Sequence, residues 1–293
     1  MTKTKSIQQI LSPPDPHMVG DGFRVHNFFP SGYDFDMHRM SPFFLLDYGS
    51  KIEFPPSDRQ RGVGVHPHRG FETVTVAYKG RVAHHDSTGN SGVIGEGDVQ
   101  WMTAGSGILH KEYHEKQYSQ KGGPFQMVQL WVNLPAKYKM TPPKYQAIEN
   151  GQMGKVYLPE NKGFLEVIAG EYSGVKGPAT TFSPLHMFNG RVKAGARVPF
   201  SLPEHYNTCL LVVEGSLRID GGDPVPTDHF VLFKNDGTDF TVEAQKDAIF
   251  LVLSGEPIKE PISAYGPFVM NTREEIVQAY EDLRNGKFGE LED

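Results

Sequence analysis

The apolar positions of this chain come in short runs, each closed by a turn-forming cluster, and between residues 65 and 134 the rhythm is strand, turn, strand. Residues 72–79 read as a β-branched strand ended by Gly80, and residues 81–86 as a strand ended by Ser87-Thr88-Gly89-Asn90. The turn Gly95-Glu96-Gly97-Asp98 precedes a short strand at 99–102, and residues 126–132 form a strongly apolar one. Upstream, residues 23–29 alternate as a strand does, residues 43–48 read as a short buried strand, and residues 55–61 are a polar loop. Residues 1–20, polar and Pro-containing, predict an arm or an edge strand.

The segment around Thr141-Pro142-Pro143 predicts a connection between domains, placed at residue 140: an N-terminal domain of residues 1–140 and a C-terminal one of residues 141–293. Beyond it the β rhythm returns at 154–158, 164–170, 185–193, 208–213, 216–220, 228–233 and 248–253. Gly215 follows its apolar run as Gly80 follows the run before it, so the second half reads as a divergent copy of the first. One helix is predicted, at the end. Thr272 and Glu275 form a capping box, Ile276, Val277, Ala279, Tyr280 and Leu283 make a stripe at helical spacing, and Gly286 closes it. The fold class expected is all-β, two antiparallel barrels with a C-terminal helix, not a parallel sheet with crossover helices.

Composition narrows the setting. The chain has 293 residues, 32 of them Gly and 22 Pro without collagen period, which suits many short strands joined by turns. A formal net charge of −6 provides no field for nucleic acid or an anionic membrane surface, and direct nucleic-acid binding is not expected. The single cysteine, Cys209, lies in an apolar run and predicts a buried small hydrophobe. No secretory h-region follows the first residues, and no run approaches the ~18–20 apolar residues of a membrane span. A cytoplasmic location is the expectation.

The candidate chemistry sits at Val65-His66-Pro67-His68-Arg69-Gly70-Phe71-Glu72. Side chains alternate across a strand, so His66 and His68 share a face. His110 and Glu112 repeat that spacing in Gly107-Ile108-Leu109-His110-Lys111-Glu112. Facing each other inside a barrel, the two pairs would offer a metal three imidazoles and one carboxylate, with positions left open as in a catalytic site. By parity Glu72 is a second candidate carboxylate. It lies about 13 Å along a straight strand from His68, whereas Glu112 lies about 6.6 Å from His110. His84 and His85 are adjacent, point to opposite faces, and predict surface or turn roles; His114 predicts an exit-loop position. Phe71 and Trp101 are candidates for a pocket wall or for core, and Arg69 for holding an anionic substrate oxygen. In the second half neither His205 nor His229 has a partner at i+2, so no second metal site is expected.

The segments HPHRGFETV, GDVQWMTAGSGILHKE and QLWVNLP together resemble the pirin family of cupins, closely over residues 20–145 and more weakly beyond. The resemblance implies a two-domain bicupin with a mononuclear metal in the N-terminal barrel and none in the C-terminal one. Common cupins place the carboxylate ligand where Glu72 stands; the pirin pattern places it at Glu112, with His66, His68 and His110 as the other metal ligands. Glu72 then orients a neighbouring group or assists catalysis beside Glu112. The resemblance favours Fe(II), while Cu, Ni, Mn, Co and Zn are open by donor type. It also implies two functions: a dioxygenase acting on a flavonol such as quercetin with dioxygen, or a metal-binding, redox-responsive regulator that binds a protein partner.

Overall fold

A computed structural model describes residues 3–292. Within it the chain forms two compact units, each an antiparallel sandwich of a seven-stranded and a four-stranded sheet. One unit comprises residues 14–37, 43–150 and 258–293; the other comprises the N-terminal segment up to Pro13, residues 38–42 and residues 151–257. A cut at residue 140 would place the terminal helix with the second barrel; the contacts group it with the first.

In the first unit the large sheet runs in the order Lys144–Ile148, Val99–Thr103, Phe71–Lys79, Gly123–Asn133, Phe43–Phe54, Phe23–Phe29 and His17–Val19. The small sheet runs Gly62–His68, Ile108–His114, Val82–Asp86 and Ser91–Ile94. Lys144–Ile148 pairs with Val99–Thr103, so the chain past the Pro-Pro pair still belongs to this sheet. Phe23, Val25, Ala77, Phe125 and Met127 form one buried apolar cluster, and Phe44, Phe71 and Val269, with Trp131 packed against them, form another. The terminal helix Arg273–Arg284 starts on the expected capping box, Thr272 accepting from the Glu275 backbone N–H. It buries Ile276 and Ala279 against Phe268, Met270 and Phe288.

The second unit repeats the plan. Its large sheet runs from Ile7–Leu11 through Phe230–Phe233, Asn207–Glu214, Ala248–Gly255, Leu185–Val192 and Gly163–Ala169 to Gly154–Tyr157. Ile7–Leu11 is the edge strand anticipated for the N-terminus, paired with Phe230–Phe233. The small sheet contains Arg197–Ser201 paired with Asp239–Ala244, in the places that Gly62–His68 and Ile108–His114 hold in the first unit. The interior between its sheets is apolar: Val198, Phe200, Phe240 and Val242 pack among Phe188, Phe233 and Phe250, and Cys209 is buried in its own strand. No helix among the described residues is long and apolar enough to cross a membrane.

Candidate metal centre

His66 and His68 close the strand Gly62–His68, which pairs in register with Ile108–His114 so that His66 faces His110 and His68 faces Ile108. The three imidazoles meet, with ring centroids 4.2 Å apart for His66–His110, 4.8 Å for His68–His110 and 4.9 Å for His66–His68. One ring nitrogen from each lies within 4.8 Å of the others. Two rings are oriented by backbone carbonyls. His66 Nδ1 is 2.8 Å from Gly64 O and His68 Nδ1 is 3.3 Å from Pro267 O, so each Nδ1 donates and leaves Nε2 as the lone-pair atom. Burial pushes His66 below the ordinary imidazole range and pushes His68 and His110 well below it, with the neighbouring imidazoles adding to the shift of the latter two. Three neutral imidazoles result, the form that binds metal.

His110 supplies the test of fit. It is fully buried, and neither of its ring nitrogens has a hydrogen-bond partner among the described residues. An unpaired buried polar group costs about 1–3 kcal/mol, and a divalent ion coordinated there would remove that penalty. The donor set suits the imidazole-binding transition metals.

A cavity of about 350 Å³ opens on the cluster. His66, His68 and Glu112 line it together with Trp131, Phe23 and Met127. Glu112 thus shares the cavity of the histidines, as its spacing from His110 predicts. Its Oε1 is 3.5 Å from Thr75 Oγ1, and burial pushes its carboxyl up to about 7.

Glu72 does not share that face, contrary to the parity expectation. Gly70, at φ +88°, breaks the strand between His68 and Phe71 and resets the alternation. A side chain at Gly70 would place its Cβ 2.0 Å from Val269 O, so both the turn and the close approach need glycine. Beyond the bend the odd residues face the cavity side: Phe71 stacks on Trp131 and meets His68 edge-on, and Thr75 reaches Glu112. Glu72 is on the other face, buried, accepting from Thr103 Oγ1 at 2.8 Å, with burial pushing it up to about 7.

Other expectations change as well. His84 is buried, not superficial. It pairs in register with Glu112, has no hydrogen-bond partner on either ring nitrogen among the described residues, lies 4.7 Å from the Tyr145 ring, and is pushed down to about 4 by burial. His85 faces the other way and stacks on Tyr113. His114 ends a strand instead of lying in a loop, buried with its Nε2 on Gly22 O. Arg69 is not free to hold a substrate: Nη1 donates to Asp282 at 2.8 Å, Nε to Ser106 O at 2.7 Å, and the guanidinium lies 4.7 Å over the Phe288 ring. Trp101 is fully buried core, and Trp131 and Phe23 form the aromatic wall of the cavity; neither is marked as a wall by the sequence pattern alone. The alternation Leu130-Trp131-Val132, read against an inward Phe71, was the available signal.

Two antiparallel barrels in one chain, one of them holding a His-x-His pair and a third imidazole at a cavity, define a two-domain cupin with a candidate metal centre. Residues 22–132 match the family Pirin, and residues 187–289 match the Pirin C-terminal cupin domain. The chain belongs to the pirin family. It is 49% identical, over 97% of its length and 98% of the relative's, to a Pseudomonas aeruginosa protein named "Putative quercetin 2,3-dioxygenase". It is 39% identical to a pirin-like protein of Solanum lycopersicum, over 87% and 84% of the two chains. Among solved structures it is similar to a quercetin 2,3-dioxygenase from Acinetobacter baumannii, with a TM-score of 0.93 and 47% identity over 99% of this chain and 100% of that one.

Proposed function

We propose that this pirin is a dioxygenase of flavonols such as quercetin, with one Fe(II) ion held by His66, His68, His110 and Glu112. The observation that carries the reading is the junction of three convergent imidazoles, a buried carboxylate and a cavity of about 350 Å³ walled by Trp131 and Phe23. That volume is in the range of small-molecule sites, roughly 300–1,000 Å³. The names of its relatives in Pseudomonas aeruginosa and Acinetobacter baumannii support the same substrate class.

A bound divalent ion supplies a Lewis acid that makes an enolic hydroxyl brought against it easier to ionise. The chain does the rest. Gly64 O and Pro267 O hold Nδ1 of the His66 and His68 rings, which leaves Nε2 of each to serve the centre with His110. Glu112, desolvated and beside Thr75, receives the enolic proton on its carboxylate. Trp131, Phe23 and Met127 cover the faces of a flat aromatic and keep water from it.

The test is spectroscopic. Fe(II)-loaded protein mixed with quercetin under nitrogen should shift the visible flavonol band without loss of intensity, and admission of air should bleach it over many turnovers. A fully metallated protein that bleaches neither quercetin nor a panel of related enols would favour the regulatory reading.

A further inference from the structure

The wall of the cavity that faces the histidine sheet carries a polar row. Asn27, Asp47, Gln129, Thr75 and Gln100 are successive in-register partners across five strands of the large sheet, so their side chains share one face. On one flank stand Gly49, Met127 and Ala77; on the other, Leu45, Trp131, Thr73 and Met102. A polar file between mostly apolar rows costs desolvation unless its members are paired. Part of the row pairs internally: Asn27 Nδ2 donates to Asp47 Oδ1 at 2.7 Å, and Thr75 Oγ1 donates to Gln129 Oε1. The remaining atoms have no hydrogen-bond partner among the described residues. These are Asp47 Oδ2 and Gln129 Nε2, on two residues that line the cavity, and, deeper in the row, both amide atoms of Gln100.

We infer that Asp47 and Gln129 form a hydroxyl-recognition subsite that selects polyhydroxylated aromatic substrates. The inference rests on the flavonol reading of the cavity and adds to it what the rest of the substrate, beyond its enolic group, must carry. Asp47 Oδ2 is an acceptor and Gln129 Nε2 a donor, one strand apart with Cβ atoms about 5 Å from each other. A phenolic hydroxyl can donate to the first and accept from the second, and a vicinal pair of hydroxyls can engage both. His66, His68, Glu112, Asp47 and Gln129 line one cavity, and Thr75, bonded to Gln129, lies 3.5 Å from Glu112, so a flat multi-ring molecule held at the histidines lies within reach of the row. The Thr75 bond holds the Gln129 amide with nitrogen outward, and the Asn27 bond holds the Asp47 carboxylate, so the pair is set before the ligand arrives.

Binding measured without turnover separates this subsite from the reading it depends on. Fe(II)-loaded protein is titrated under nitrogen with quercetin and with 3-hydroxyflavone, which keeps the enolic group and lacks the other hydroxyls; quenching of the tryptophan fluorescence, to which Trp131 in the cavity wall contributes, reports occupancy. The wild-type chain should bind quercetin at least about tenfold more tightly, the scale of a hydrogen bond to a charged group. Asp47→Asn and Gln129→Met should each bring the ratio of the two Kd values close to one. A ratio unchanged in both variants overturns the subsite and leaves the flavonol reading standing. Failure of the wild-type chain to bind either compound overturns both. If Asp47→Asn does not fold, Gln129→Met decides alone.

Discussion

His110 and Glu112 sit two residues apart on one strand and do different work. His110 is the buried donor with no partner, and Glu112 is the buried carboxylate at the cavity. A carboxylate on a divalent ion is stabilised as the anion, so Glu112→Gln should release the metal or weaken its binding sharply. Glu72 faces away from the cavity and bonds to Thr103, so Glu72→Gln should keep a full complement. Metal content after gel filtration decides between them: an empty Glu72→Gln protein beside a full Glu112→Gln one would reverse the assignment. At this scale the His-x-His spacing was legible because it needs only strand parity. The position of Glu72 was not, because one left-handed glycine between two strands shifts every later residue to the opposite face. His84 was missed for a related reason: adjacency says that one of two histidines points inward, and only the pairing with Glu112 says which.

Among the elements, the terminal helix and the hairpin before it complete the site's surroundings. Pro267 and Gly266, between the strands Ser263–Tyr265 and Phe268–Met270, line the cavity, and Pro267 O orients His68. Asp282 of the helix binds Arg69, and Lys139 Nζ donates to both Gly70 O and Val269 O, fastening the bend after the histidine pair to the hairpin. Lys287, Arg69 and Gln278 hold the Asp282 carboxyl down at about 2. A carboxyl depressed in the folded state contributes stability that is present above its unfolded pKa of about 3.9 and is lost as pH falls toward 2. Asp282→Asn should therefore lower Tm by several degrees at pH 7, and the gap to wild type should shrink between pH 4 and pH 2. Equal gaps at both pH values, by thermal unfolding of the metal-free proteins, would show that the Asp282 carboxylate does not hold the helix in place. The capping box and apolar stripe announced this helix; its partner Arg69, 213 residues away, lies beyond any local pattern.

At the scale of the whole molecule, two units share one sheet plan and differ in what fills them. Where His66 faces His110 in one, Phe200 faces Phe240 in the other, their rings stacked 4.9 Å apart. One tightly held metal equivalent per chain is expected, absent from His110→Ala; two equivalents by elemental analysis, with the second surviving that substitution, would contradict it. The doubled strand rhythm was readable from turn residues and apolar runs. The grouping of the first residues with the unit of 151–257, and of the last with the other, was not. It depends on pairings such as Ile7 with Phe233, which periodicity does not encode.

Oxygen consumption decides whether the centre is a metal-dependent dioxygenase. Protein purified anaerobically, loaded with Fe(II) and given quercetin in an oxygen electrode should consume dioxygen in proportion to the flavonol supplied. Uptake should stop on chelation and return when Fe(II) is restored to the wild-type chain, but not to His110→Ala. Uptake that persists after the metal is stripped, or a fully loaded protein that takes up none, would contradict a metal-dependent dioxygenase at His66, His68, His110 and Glu112.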